Sequence, residues 1–161
     1  MKRSILGLVL VALSMTAAAD KATNTLPIYF GGGVGFNKLS GWDDSFGIQF
    51  LGGYELGNFG AKGFDFSVEA GYMDTGDFER NFAGGTVSES ANGLWGTFVA
   101  AYHASPLVDI LARAGLDVGD DDGPMFGVGV GFNVNKQLQL RGEFVARDNV
   151  DSLQFNVVFY P

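Results

Sequence analysis

From Leu26 to its C-terminus the chain repeats a period of two, in which a large apolar residue alternates with a glycine or a polar residue. Successive side chains in a strand point to opposite sides, so each such segment has one greasy face and one small or polar face. Ile28, Phe30, Val34 and Phe36 share the first greasy face, opposite Tyr29, Gly31, Gly33, Gly35 and Asn37. The pattern returns in Phe46, Ile48, Phe50, Tyr54 and Leu56 opposite Gly47, Gln49, Gly53 and Glu55, and in Phe64, Phe66, Val68, Ala70 and Tyr72 opposite Asp65, Ser67, Glu69, Gly71 and Met73. Three later segments start at Phe126, Leu138 and Leu153.

Alternation alone leaves open which face is inside, because a soluble ligand-binding barrel has the same period with its apolar face inward. Side-chain volume separates the two. The interior of a barrel of about eight strands is just wide enough for side chains to fill. A Phe, Val or Leu at every second position of every strand would overfill it. The glycine-rich face, with Gly31, Gly33, Gly35, Gly127, Gly129 and Gly131, fits inside, and the large residues then face lipid. The expected fold is all-β, an eight-stranded antiparallel up-and-down transmembrane β-barrel.

Met1 to Ala19 carry Lys2 and Arg3, an apolar stretch from Ile5, and Ala17-Ala18-Ala19 ahead of Asp20, the pattern of a cleavable secretory signal peptide. Residues 20–161 are then a single barrel domain, with room for eight strands and no second domain. The chain has no cysteine, which removes disulfides, thiol nucleophiles and a lipoprotein anchor. No later apolar run reaches the length of a spanning helix. Export with lipid-facing strands points to a bacterial outer membrane. Without Lys2 and Arg3 the chain holds eight basic and eighteen acidic residues, a formal charge of −10 that argues against nucleic acid as a partner.

Two segments, Gly93–Ala104 and Leu107–Val118, are ambiguous, since "PLVDILARAGL" also has the pattern of a short amphipathic helix. An even strand count favours strands. The surface loops are then 38–45, 74–92, 119–124 and 148–151, and the periplasmic turns 57–63, 105–106 and 135–136, long outside and short inside. Twelve of the eighteen acidic residues fall at the outer end, among them Asp43, Asp44, Asp117, Asp120, Asp121 and Asp122. Solvated loops explain them. A divalent-cation site at "GDDDG", bridging to lipopolysaccharide phosphates, is the functional alternative, although the spacing lacks the ligand set of an EF-hand.

On the inner face Glu55, Asp65, Glu69, Asp109, Arg113, Arg141, Glu143 and Arg147 bring charges of both signs together. They form a polar plug in place of an apolar core, or line an ion path gated by rearranged pairs. Enzyme signals are weak. His103, the only histidine, precedes Ser105 by two residues in a faint likeness to the His-x-Ser of outer-membrane lipid A deacylases, but it lies beside a periplasmic turn and Gly115 stands where the acidic partner would be. "GGGVG" and "GVGVG" have no following Lys-Ser/Thr and are not phosphate loops. No cofactor is expected.

With these residues in view, the chain resembles the small outer-membrane β-barrel family that includes the transmembrane domain of OmpA. The likeness runs through "YFGGGVGFN", "VEAGYMDTGDF", "ASPLVDILARAGLDVG" and "LRGEFVARDNVDSLQFNVVFY". It implies an eight-stranded meander with a mostly closed interior and an interior Glu–Arg cluster at Glu69 and Arg141. A lysine and a second glutamate found in that cluster in some members fall here on Val99 and Gly131. The family usually ends on an aromatic residue read by the assembly machinery, whereas this chain ends Phe159-Tyr160-Pro161. The family's peptidoglycan-binding domain is absent, so the resemblance implies no cell-wall tether.

The resulting expectation is a non-enzymatic, monomeric outer-membrane barrel for envelope integrity or loop display, with at most a narrow ion-conducting lumen. Its partners would be outer-membrane lipid, lipopolysaccharide, periplasmic chaperones and the barrel-assembly machinery. The rival is an adhesin or recognition protein, with a surface ligand met by Trp42, Phe78, Arg80 and Phe82 on the first two loops. A lipid A hydrolase ranks below both.

Overall fold

The computed structural model describes residues 27–82 and 85–161, and the signal-peptide reading lies outside the described residues. Eight strands follow one another: β1 (Ile28–Leu39), β2 (Ser45–Gly57), β3 (Phe64–Phe82), β4 (Gly85–Ser105), β5 (Val108–Gly119), β6 (Gly123–Asn133), β7 (Leu138–Ala146) and β8 (Val150–Phe159). Each pairs antiparallel with its neighbour in sequence, and β1 pairs with β8 to close the ring. The ambiguous "PLVDILARAGL" is therefore a turn followed by β5.

The stagger of the ring can be read from the pairing. Ile28 pairs with Tyr54, then Val68, Phe98, Ala114, Phe126, Ala146 and Asp151 in turn, and Asp151 returns to Lys38, ten residues along β1 from the start. With strands about 4.8 Å apart and about 3.3 Å per residue, that offset tilts them roughly 40° from the barrel axis. A 12-residue strand such as β1 then rises about 30 Å, the thickness of a hydrocarbon core. No helix among the described residues is long and apolar enough to cross a membrane; these strands have the length to do so.

The burial pattern follows the alternation in the sequence. Phe126, Val128 and Val130 on β6 are exposed, while Met125 is fully buried. Exposed Phe, Leu, Ile and Val continue around all eight strands, which in water would be a large unfavourable apolar surface and in lipid is the expected exterior.

Two expectations need correction. The 74–92 segment is not a loop: β3 runs to Phe82 and β4 starts at Gly85, so the two continue past the barrel as a paired ribbon. A register shift between Asp74 and Asp77, at Gly76 with φ 70°, marks where the ribbon leaves the wall. The alternation in "DFERNF" and "TVSES" suits a strand pair as well as a loop, and pairing satisfies the backbone. The interior, in turn, is not purely polar. Tyr29, Leu51, Met73, Trp95, Met125, Val145 and Val158, from seven of the eight strands, form a buried apolar cluster across the lumen.

Candidate functional site

Across the middle of the lumen lie this apolar cluster and an ion-pair network. Glu69 on β3 is its hub. Its Oε1 accepts from Arg141 Nη1 at 2.5 Å and from the Tyr29 hydroxyl at 2.7 Å, and its Oε2 lies 3.1 Å from Arg113 Nη2. Arg113 also reaches Glu143, 2.6 Å from Oε2. All four charged side chains are almost completely excluded from solvent. In that setting the pairs hold only because each charge has an opposite partner at contact, and one lost partner leaves an uncompensated buried charge. Aromatic faces supply further contact: the Arg141 guanidinium sits 5.3 Å from the Tyr29 ring centre and that of Arg113 5.5 Å from the Trp95 ring.

Glycine provides the space for these large groups. A Cβ on Gly53 would run into the Tyr29 ring, and one on Gly71 into the Trp95 ring. The glycine-rich inner face therefore serves as the bed on which the few large lumenal side chains lie.

The resemblance placed the family's second basic and acidic groups on Val99 and Gly131, neither of which can ionise. Here the second pair comes from Arg113, whose backbone partner is Val99, and from Glu143, on the strand paired with that of Gly131. Arg147 is spent elsewhere, 2.9 Å from Asp117 and bonded to the Ser152 hydroxyl. Asp117 is accordingly a lumenal residue rather than one of the surface acids.

At the short-turn end the lumen opens into a vestibule of about 460 Å³, lined by Glu55, Asp65, His103, Asp109, Arg141 and Tyr160 among others. His103 has one ring nitrogen on Asp65 and the other on Asp109, at 2.8 and 2.7 Å. Ser105 Oγ instead accepts the Leu107 amide, so the His-x-Ser segment forms no nucleophile–base pair. Tyr160 turns inward, its hydroxyl 2.9 Å from Arg141 Nη2, and Phe159 is the last strand residue, paired with Phe30 and Leu138.

At the opposite end the acids of "GDDDG" are engaged with backbone and side-chain amides. Asp121 is buried and accepts hydrogen bonds from the Asn149 amide, the Asn149 side chain and the Val150 amide, pinning the β5–β6 connection to the β7–β8 connection. Asp120 takes the Asn92 amide and Asp122 the Gly119 amide. No group of side chains suited to a metal ion occurs among the described residues. Of the loop candidates, Asp43, Asp44 and Arg80 are exposed and Trp42 is half-buried. Phe78 is only 1% exposed and is no contact residue: the ribbon carries it to a covered position. Phe82 pairs through its backbone with Gly85 at the ribbon's end. The alternation already sets Tyr29, Met73 and Leu51 on inner faces, but the glycines around them masked an apolar layer, and Trp95 sits in a segment whose faces the sequence left unassigned.

A closed eight-stranded ring with a greasy exterior and a filled, partly charged interior defines an integral outer-membrane β-barrel. The chain belongs to the outer membrane protein beta-barrel domain family, whose model matches residues 6–158. Solved structures share the fold. Ail of Yersinia pestis, in complex with the heparin analogue sucrose octasulfate, superposes with a TM-score of 0.52 at 13% identity over 83% of this chain and 95% of that one. Neisserial surface protein A gives 0.55 at 13% identity over 84% and 97%. The de novo designed barrel TMB2.3 gives 0.59 at 17% identity over 86% and 98%. No curated protein sequence matches the chain significantly. That a designed barrel is among these neighbours fits a fold specified by pattern and register.

Proposed function

We propose that this protein is a non-enzymatic structural barrel whose sealed lumen preserves the permeability barrier and whose outer ribbon and loops are displayed at the cell surface. The observation that carries this reading is the seal itself: an apolar layer from seven strands plus the Glu69–Arg141–Arg113–Glu143 network. Any conductance would be a narrow ion path opened by rearranging those pairs. Export by a cleaved signal peptide, insertion by the barrel-assembly machinery with periplasmic chaperones, and contact with lipopolysaccharide as a monomer complete the proposal, which involves no cofactor and no nucleic acid.

The test is deletion of the gene from its host, scored by uptake of a large hydrophilic dye or antibiotic across the outer membrane. Increased uptake, reversed by the wild-type chain but not by an Arg141→Ala chain that still inserts, is the expected result. Unchanged uptake would contradict the barrier role.

A second reading, recognition through the ribbon, is favoured by one feature: β3 and β4 extend well beyond the barrel wall, where a turn would suffice to connect them. Ail was solved with a polyanion; the acidic outer end here suits a cationic partner instead. Removing residues 75–91 should abolish surface attachment while insertion persists.

A further inference from the structure

A continuous hydrogen-bonded path leads from the mouth at the short turns to the ion pairs that seal the lumen. Its first member, His103, has no role in the seal. Both nitrogens of its ring face carboxylates, Asp65 on β3 and Asp109 on β5. An ionised carboxylate can only accept, so satisfying both requires the ring to donate twice, as the imidazolium. The other oxygen of Asp109 accepts from Asn133 at 2.9 Å and from Gln139 Nε2 at 2.8 Å. The Gln139 carbonyl accepts from Arg141 Nε at 2.6 Å, and Arg141 Nη1 reaches Glu69. A single amide side chain thus joins the mouth to the seal, with its two ends fixed by a carboxylate and a guanidinium.

We propose that His103 is a proton-operated latch at the vestibule, whose charge determines whether Arg141 stays on Glu69 or is drawn toward Asp109. While His103 is charged, Asp109 is neutralised and Arg141 belongs to the seal. When the ring is neutral it donates only once. Asp65, about half exposed, can turn to water, whereas Asp109 is buried and cannot. Its uncompensated charge then pulls on the nearest cation behind Gln139, which is Arg141. Glu55, the one charged residue of β2, adds negative potential at the same mouth, and Lys136 in the β6–β7 turn is the competing cation. The Tyr29 and Tyr160 hydroxyls hold Glu69 and Arg141 on the seal side. This inference rests on the reading of the Glu69–Arg141 pair as the seal.

The chain has one histidine, so its ring nitrogens give an unambiguous ¹⁵N signal. The experiment records ring and arginine side-chain ¹⁵N spectra of the full barrel in nanodiscs across pH, for wild type, His103→Gln, Asp109→Asn and Lys136→Gln, each first shown to be folded by its heat-dependent gel shift. The latch requires both ring nitrogens protonated at pH 7 in wild type and an Arg141 Nε resonance that shifts as the ring loses its proton. His103→Gln should fix the Arg141 resonance at its high-pH position, and Asp109→Asn should abolish the shift. Lys136→Gln should leave it intact. A neutral ring at pH 7, or an Arg141 resonance indifferent to the state of His103, would overturn the proposal. Planar-bilayer current separates the underlying reading: an intact Arg141 shift with a steady wild-type current at pH 7, where Arg141 rests on Glu69, upholds the latch and overturns the seal.

Discussion

Arg141 and Glu69, 72 residues apart in sequence, meet at 2.5 Å in the centre of the barrel, one from β7 and one from β3. These strands are not neighbours, so the contact spans the lumen rather than running along its wall. It braces two sides of the ring.

Arg141→Ala should therefore destabilise the barrel by about 3–5 kcal/mol, the usual cost of leaving one partner of a buried pair unmatched. Urea unfolding in lipid vesicles, followed by tryptophan fluorescence, measures it. The Glu69→Ala and Arg141→Ala double variant should lose less than the sum of the single losses, because the second change removes the orphaned charge.

Gly71→Val tests the glycine bed. A side chain there meets the Phe50 carbonyl oxygen of the neighbouring strand as well as the Trp95 ring, so the cost should reach or exceed the roughly 1–3 kcal/mol typical of overpacking. In a Trp42→Phe background, which leaves Trp95 as the only tryptophan, its emission should shift to the red as the ring is displaced. Gly52→Ala on the outer face has nothing closer than 4.0 Å to meet and should leave both stability and emission unchanged.

The period-two pattern made most of the architecture legible, because it assigns a side to each residue and the volume of Phe against Gly then says which side is lipid. It even resolves Arg113 and Glu143 as lumenal. Which charges pair is a matter of stagger, and stagger is set by turns and bulges that no single strand reveals. Hence Arg113 rather than position 99 completes the cluster. The ribbon was misread because acidic, Gly-containing sequence also fits a loop, and only the pairing of Arg80 with Val87 and its neighbours shows two strands. Phe78 looked like an exposed aromatic for the same reason.

Asp121→Ala should free the β7–β8 connection, since three hydrogen bonds from Asn149 and Val150 end on that carboxylate. Limited proteolysis of intact cells should become faster at Asp148–Asn149, and stability should fall by about 1–3 kcal/mol from the unpaired donors. Asp122→Ala, which loses one exposed contact with the Gly119 amide, should change little. Calcium should protect neither variant nor wild type, given that these carboxylates are occupied by amides.

On the lipid face, Val128→Arg on β6 should cost about 2–4 kcal/mol near the bilayer midplane, whereas the same change at Asp122, in the connection ahead of β6, should be tolerated. Measuring both in vesicles of one composition compares depth directly.

The account stands on which face of the strands meets lipid. Electrophoresis in detergent of the protein from purified outer membranes, with and without boiling, tests this most directly. A folded transmembrane barrel resists the detergent until heated, so the prediction is a clear mobility shift on boiling in protein recovered from the outer-membrane fraction. A protein found soluble in the periplasm, with one mobility before and after heating, would mean that the greasy faces turn inward and would contradict the account.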